Sequence, residues 1–230
     1  MNFITSEAGA VTVDWTVLTG TVAVLGLAST LVVSAGLEAL SSDIALSLDM
    51  EIMNAFESIL YNEDFAGAFN GWANGATDDS EPWYGAILGP FGGTDGEQTV
   101  RNVFDIPGNA EVARVSFDLH AIDSWDGEDF IVFIDDEPVT SLSFRYSVDG
   151  VVDQWVSSNP NISISVDPIA PRGNQGYDAD WPDQSFSVSI DVQDPNQQIS
   201  IGYGSTLNQS VQDESWAVDN VEVRGIMSAP

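Results

Sequence analysis

Apolar residues run without a charge from Trp15 to Leu37, then thin into a stripe, and settle after Tyr61 into short alternating segments. The first run, WTVLTGTVAVLGLASTLVVSAGL, has 23 residues and reaches the length of a helix that spans a bilayer. Its apolar character begins at Ala10 and is broken only by Asp14. Past Gly36, the residues Leu37, Leu40, Ile44, Leu48, Ile52, Phe56 and Ile59 recur at spacings of three or four, one face of a helix. Glu38, Asp43, Asp49, Glu51 and Glu57 fall mostly off that face, and no proline occurs before Pro82. The pattern predicts one helix over residues 10–61, roughly 75 Å long at about 1.5 Å per residue.

Beyond that point glycine, proline, tryptophan and β-branched residues take over. Eight strand-like runs recur: Thr99–Ile106, Glu111–Ile122, Asp129–Ile134, Ser141–Tyr146, Ile162–Val166, Phe186–Val192, Ile199–Tyr203 and Trp216–Val223. Pro-Gly at 107–108, Asp-Gly at 149–150 and Asp-Pro at 194–195 punctuate them. This half predicts an antiparallel β-sandwich of jelly-roll type over residues 62–230. The Gly-rich, aromatic stretch Asn70–Gly96 is expected to cover one end of it. The fold class expected for the whole chain is α+β.

Charge narrows the function. The chain has 36 acidic residues against 5 basic ones, all arginine, and a net charge of −31. Such a surface repels phosphate backbones, which excludes nucleic acid as a partner. With no Cys there are no disulfides or thiolate sites, and a single His (His120) excludes a multi-histidine metal centre.

The N-terminal run has three readings. It fits a cleaved secretory signal, with Val33-Ser34-Ala35 as the cleavage site. It also fits a plain membrane anchor, though neither explains Asp14, because a carboxylate inside an apolar helix needs a partner. The third reading rests on Gly9-Ala10-Val11-Thr12-Val13-Asp14-Trp15, which resembles the processing site of type IV pilin-like proteins, and Asp14-Trp15 is similar to the Glu-Tyr of the small Flp (Tad) pilins. That resemblance implies a leader over 1–9, cut after Gly9 by a prepilin peptidase to leave Ala10 as the new N-terminus. It implies that Asp14 neutralises the terminal amine of a neighbouring subunit in the filament. It also implies an inner-membrane precursor, handled by pilus assembly machinery, that becomes a helical homopolymer on the cell surface.

The outer half carries a second resemblance. Ile122-Asp123-Ser124-Trp125-Asp126-Gly127-Glu128 and the final Ser215-Trp216-Ala217-Val218-Asp219-Asn220-Val221 are similar to stretches of secreted lectin-like and carbohydrate-binding sandwiches. Asp123, Asp126, Glu128 and Asp129 form an acidic loop suited to calcium, which prefers hard oxygen ligands; the alternative is a solvated loop. Glu63, Asp64 and Asp219 join such a site only if the first and last strands meet. Trp83, Trp125 and Trp181 are candidates for stacking on sugar rings, and Trp72, Tyr84 and Trp155 share their character. The alternative for each is closure of the sandwich core. His120 reads as a structural residue. No nucleophile elbow, phosphate loop or distinct pair of catalytic acids stands out, so the expected function is not enzymatic. The sequence reads as an adhesive pilin subunit exposing an acidic sandwich. The alternative is a secreted or anchored carbohydrate-binding module, meeting surface glycans, that does not polymerise.

Overall fold

The computed structural model describes residues 57–67 and 71–227. These residues are all β, in twelve strands and two antiparallel sheets. The strands are β1 (Glu57–Glu63), β2 (Thr77–Asp78), β3 (Ile87–Phe91), β4 (Gln98–Asp105), β5 (Ala110–Asp123), β6 (Asp126–Ile134), β7 (Glu137–Arg145), β8 (Asp153–Val156), β9 (Ile162–Gly173), β10 (Asp183–Gln193), β11 (Gln198–Ser205) and β12 (Glu214–Met227). One sheet runs β2-β3-β12-β5-β10-β9, with β1 also paired to β12. The other runs β4-β11-β6-β7-β8.

The α+β expectation is therefore corrected to an all-β sandwich. The helix expected over 10–61 fails where it can be followed. Glu57–Glu63 is a strand, pairing along the second half of β12 from Glu57 opposite Ile226 to Glu63 opposite Val221. The physical reason is tertiary: the edge of β12 offers a ladder of backbone partners there. Leu60 and Tyr61 pack on the core across a register shift, while Ile59, the last member of the helical stripe, is exposed. Among the described residues no helix is long and apolar enough to cross a membrane. The leader, Gly9, Ala10, Asp14 and the rest of the expected helix lie outside the described residues.

Alternation builds the sandwich. In β5, Val115, Phe117, Leu119 and Ala121 are buried, and Arg114, Ser116, Asp118 and His120 take the opposite face. In β10, Phe186, Val188 and Ile190 point inward and Ser185, Ser187 and Ser189 outward. The centre is aromatic. Tyr203 lies 4.9 Å from Phe117 and 5.7 Å from Phe130, and Phe130 lies 5.2 Å from Trp216 between ring centroids. Those separations are the tilted and offset contacts that aromatic quadrupoles favour.

A second, smaller apolar cluster covers the outer face of the first sheet. Tyr84, Ile87, Ile122 and Ala217 are buried together, with Tyr177 packed against them. Two irregular segments bring these residues over the sheet, residues 79–86 and the loop 174–182 between β9 and β10. Tyr84 rests against His120 with ring centroids 4.7 Å apart.

Candidate functional site

A cleft lies where the loop between β7 and β8 meets β9 and the start of β10. It holds about 380 Å³ and is lined by Asp149, Gly150, Pro168, Ala170, Pro171, Arg172, Gln184 and Phe186. Its shape follows from three local arrangements.

The first is the β7–β8 loop, residues 146–152. Asp149-Gly150 makes the turn, and Gly150 adopts a φ of +85°, which glycine tolerates without strain. The second is β9, whose run Asp-Pro-Ile-Ala-Pro-Arg brings two prolines and an arginine to the sheet edge. The third is Gln184 at the start of β10, which joins the sheets. Its Oε1 accepts from Gly150 N–H at 2.7 Å, and its Nε2 donates to the Arg145 carbonyl at 3.2 Å. Phe186, buried, lines the cleft beside it.

Arg172 is the principal charged donor of the cleft. Its Nε meets Asp149 Oδ1 at 2.6 Å, and its Nη1 donates to the Tyr146 carbonyl. The pair is open to solvent, Asp149 more so than Arg172. Outside that lining, Arg172 ties the cleft to Tyr146 through its carbonyl, and the Tyr146 ring meets Trp181 edge to face, centroids 4.9 Å apart and planes at 72°. Val148, Val152 and Ile169 are exposed close by in sequence. Arginine, carboxylate, amide, prolines and Phe186 give this cleft both directional polar groups and apolar surface, with the aromatic pair next to it.

Trp181 is held by its loop. Trp181 N–H donates to Asp178 O at 3.1 Å, Asp180 N–H to Asp178 Oδ1 at 2.9 Å, and Asn174 Nδ2 to Ala179 O at 2.6 Å. The loop is anchored in turn on two buried carboxylates. Asp183 Oδ2 accepts from Gln175 N–H at 2.8 Å and Gly176 N–H at 2.6 Å, and Asp123 Oδ1 accepts from Asp178 N–H at 3.1 Å. Asp123 N–H also donates to Asp183 Oδ1 at 2.8 Å. Burial first, then the Asp183 charge, pushes Asp123 up to about 7. Burial raises Asp183 as well.

The other expected site residues are distributed as follows. Trp125 is 1% exposed and offers no face to a ligand; its Nε1 donates to Ser215 O at 2.8 Å and its ring meets Phe144 edge to face. Trp83 is 53% exposed on the segment over the outer face of the first sheet. Trp72 is buried and stacks on Tyr203. Trp155 is 50% exposed on β8. In the acidic loop, Asp123 turns inward and Asp126 is exposed. Glu128 accepts from Asp126 N–H and from Asn208 Nδ2, and Asp129 accepts from the Ser143 hydroxyl. Among the described residues no three acidic or histidine side chains gather into a group that could hold a metal ion. The first and last strands do meet, which brings Asp64, Asp118 and Asp219 near one another. Burial, and then the charges of Asp118 and Asp64, pushes Asp219 up to about 6.

Sequence reasoning missed Tyr146, Asp149, Arg172 and Gln184. The available signal was the arginine itself, one of five in a chain of charge −31, between Pro171 and Gly173.

No family model matches the chain, and no curated protein matches it. Those two comparisons lend no support to the pilin resemblance at residues 9–15. Solved structures do match in part. The sugar-binding C-terminal domain of EclA aligns at 5% identity with a TM-score of 0.34, over 68% of this chain and 80% of that one. The mannan-recognising carbohydrate-binding module TmCBM27 aligns at 14% identity and a TM-score of 0.36, over 74% and 98%. Dimeric latent PorU from Porphyromonas gingivalis aligns at 11% identity and a TM-score of 0.42, over 74% of this chain and only 12% of that protein. Likenesses of this size assign neither family nor ligand.

Proposed function

We propose that the sandwich is a non-catalytic module that binds a neutral glycan in the cleft of Arg172 and Asp149, next to the Tyr146–Trp181 pair. The observation that carries this reading is the Arg172–Asp149 pair set in a cleft of about 380 Å³ beside two aromatic rings. A pyranose ring has apolar C–H faces and a rim of hydroxyls. The faces suit flat apolar surface, here Trp181 and the prolines 168 and 171. The rim hydroxyls both donate and accept, so they suit a fixed arginine donor beside a carboxylate and an amide. Asp149 stands more open than Arg172, so hydroxyls can reach both without breaking their contact. The chain's charge of −31 disfavours polyanions and leaves uncharged polysaccharides as the matching class. An extracellular or cell-surface setting, where such polymers occur, belongs to the same reading.

The test is affinity electrophoresis of the full-length protein through gels containing a mannan, a xylan, a β-glucan or, as a charged control, an alginate. At least one neutral polymer is expected to retard the protein. Arg172→Ala is expected to weaken that retardation by about tenfold or more, on the order of the 1.5–3 kcal/mol typical of hydrogen bonds to charged groups, and Trp181→Ala to weaken it several-fold through lost ring contact. Trp83→Ala is expected to leave it unchanged. Retardation indifferent to both cleft variants, or by alginate alone, overturns the assignment.

A further inference from the structure

The loop that presents Trp181 has a feature that a merely structural loop does not need. Its two ends are register partners, Gly173 opposite Asp183, so the loop leaves and rejoins the sheet at one place. It is held down in between by Tyr177, which stacks on Tyr84 and donates to Asp78, and by a pair of buried carboxylates, both 1% exposed, tied to each other through the Asp123 N–H and to the loop through three more backbone bonds. Asp123 sits at the end of β5 with a φ of +67°, a left-handed conformation that turns its carboxyl back under the loop. One oxygen of the pair, Asp123 Oδ2, is buried without a hydrogen-bond partner.

The neighbouring charges that raise Asp123 are acidic, and the arginine at this end, Arg145, lies opposite Asp126. From the loop itself comes Asp178, and from the turn before β12 and its first residue come Asp213 and Glu214, the latter directly opposite Asp123. Glu128 and Asp126 stand next to Glu214. From the segment over the outer face comes Tyr84, whose buried hydroxyl lies beside Asp183 and is kept neutral by burial and by that carboxylate. His120, further along β5, is buried and kept neutral, its Nδ1 engaged by the Ser185 hydroxyl. Two anionic carboxylates in that setting repel each other. A proton on Asp123 Oδ2 removes the repulsion and sacrifices no loop contact, because Oδ1 remains free to accept from Asp178 N–H.

We propose that a proton held by the Asp123–Asp183 pair latches the loop 174–182 over the sheet and that its loss frees the loop, and with it the contact of Trp181 on Tyr146 beside the cleft. The consequence for ligand affinity rests on the cleft reading above; the latch itself does not. The closed loop retains the proton up to about pH 7, whereas an opened, hydrated Asp123 returns toward its ordinary 3.8. The opening constant therefore rises with pH between those two values, by at most about tenfold per unit, and levels off above the higher one. The latch is tight in mild acid and loose at and above neutrality.

Amide hydrogen exchange of the peptide covering 174–182, in the full-length protein from pH 5 to pH 8.5 and corrected for intrinsic exchange rates, tests this directly. Wild-type protection is expected to fall by about tenfold or more between pH 5 and pH 7 and to flatten beyond. Asp123→Asn keeps an accepting oxygen and carries no charge, so its protection is expected to stay flat. Protection constant with pH in the wild type, or an unchanged slope in Asp123→Asn, overturns the latch. If that variant does not fold, infrared titration of the wild type decides: a protonated carboxyl band must persist above pH 5.5 and disappear near 7. Binding to the polysaccharide chosen above is expected to be several-fold weaker at pH 8 than at pH 5.5. A pH-dependent loop with no polysaccharide bound by any gel refutes the cleft reading alone. Binding at the cleft with pH-independent protection refutes the latch alone.

Discussion

Consider acidification from pH 7 to pH 4. His120 is 7% exposed, with Nδ1 on Ser185 Oγ at 2.8 Å and no partner for Nε2. Burial holds its imidazole down to about 4 from the ordinary 6.5. An unfolded chain takes up this proton near 6.5 and the folded chain does not, so stability present at neutral pH is lost through that interval. At about 1.4 kcal/mol per unit the loss is roughly 3 kcal/mol. Asp123 works in the opposite sense. Its folded carboxyl is raised from 3.8 to about 7, so the folded chain keeps a proton that the unfolded chain has released. Falling pH then adds stability, roughly 4 kcal/mol over the same range. The two slopes oppose each other in one window, and single substitutions separate them. Relative to wild type, His120→Gln is expected to gain roughly 3 kcal/mol between pH 7 and pH 4, and Asp123→Asn to lose roughly 4 kcal/mol. Urea unfolding of the full-length proteins at fixed salt, followed by tryptophan fluorescence, measures both. Reading each variant against wild type cancels the shared relief of charge repulsion as the acidic surface protonates. A difference that stays constant with pH for either variant refutes the assignment of that group.

Two further substitutions probe the frame that carries the cleft. Trp125→Ala removes a side chain that is 1% exposed and leaves the Ser215 carbonyl unpaired, so a cost of about 3–5 kcal/mol in urea unfolding is expected, and a cost below 1 kcal/mol refutes its place in the core. Gly204→Ala puts a Cβ 2.1 Å from the Glu97 carbonyl oxygen, which is backbone and must move; a drop in melting temperature of several degrees is expected, and an unchanged melt refutes the close approach.

The eight strands read from alternating or apolar runs in the outer half all exist: strands such as β5 and β10 have a buried face and an open one, which leaves a period of two, whereas β11 is buried from Ile199 to Ser205 and reads as a continuous run. β5 extends Glu111–Ile122 by only one residue at each end. The strands that escaped had no such contrast. In β8, Asp153-Gln154-Trp155-Val156 is exposed throughout, so nothing alternates. β3 contains Gly89-Pro90, residues that read as a loop. β1 carries adjacent core contacts from Leu60 and Tyr61 across its register shift, and the spacing of Ile52, Phe56 and Ile59 imitates a helix. Trp125 looked like a loop aromatic because Asp126-Gly127 follows it, whereas its indole N–H closes onto a carbonyl 90 residues away. The cleft was illegible for a related reason. Arg172 meets Asp149 across 23 residues, and Gln184 reaches Gly150 across 34. Pairings of that kind exist only once two sheet edges have been brought side by side, and no short motif encodes them.

β8 and β9 end their sheets on the same side of the sandwich, and a bare sheet edge is a template on which another chain can add a strand. β8 limits the hazard by offering only four residues. β9 is twelve residues long and needs another defence. Pro168 and Pro171 have no N–H to give a newcomer, and Asp167 and Arg172 flank them with charge. The same two prolines line the cleft. On the proposed reading a sugar would pack on their apolar rings and make no use of a backbone donor, whereas an invading strand needs the donors and finds them missing. This edge thus refuses a peptide without closing the cleft, and replacing either proline with a β-branched residue would restore a donor and open it to strand addition.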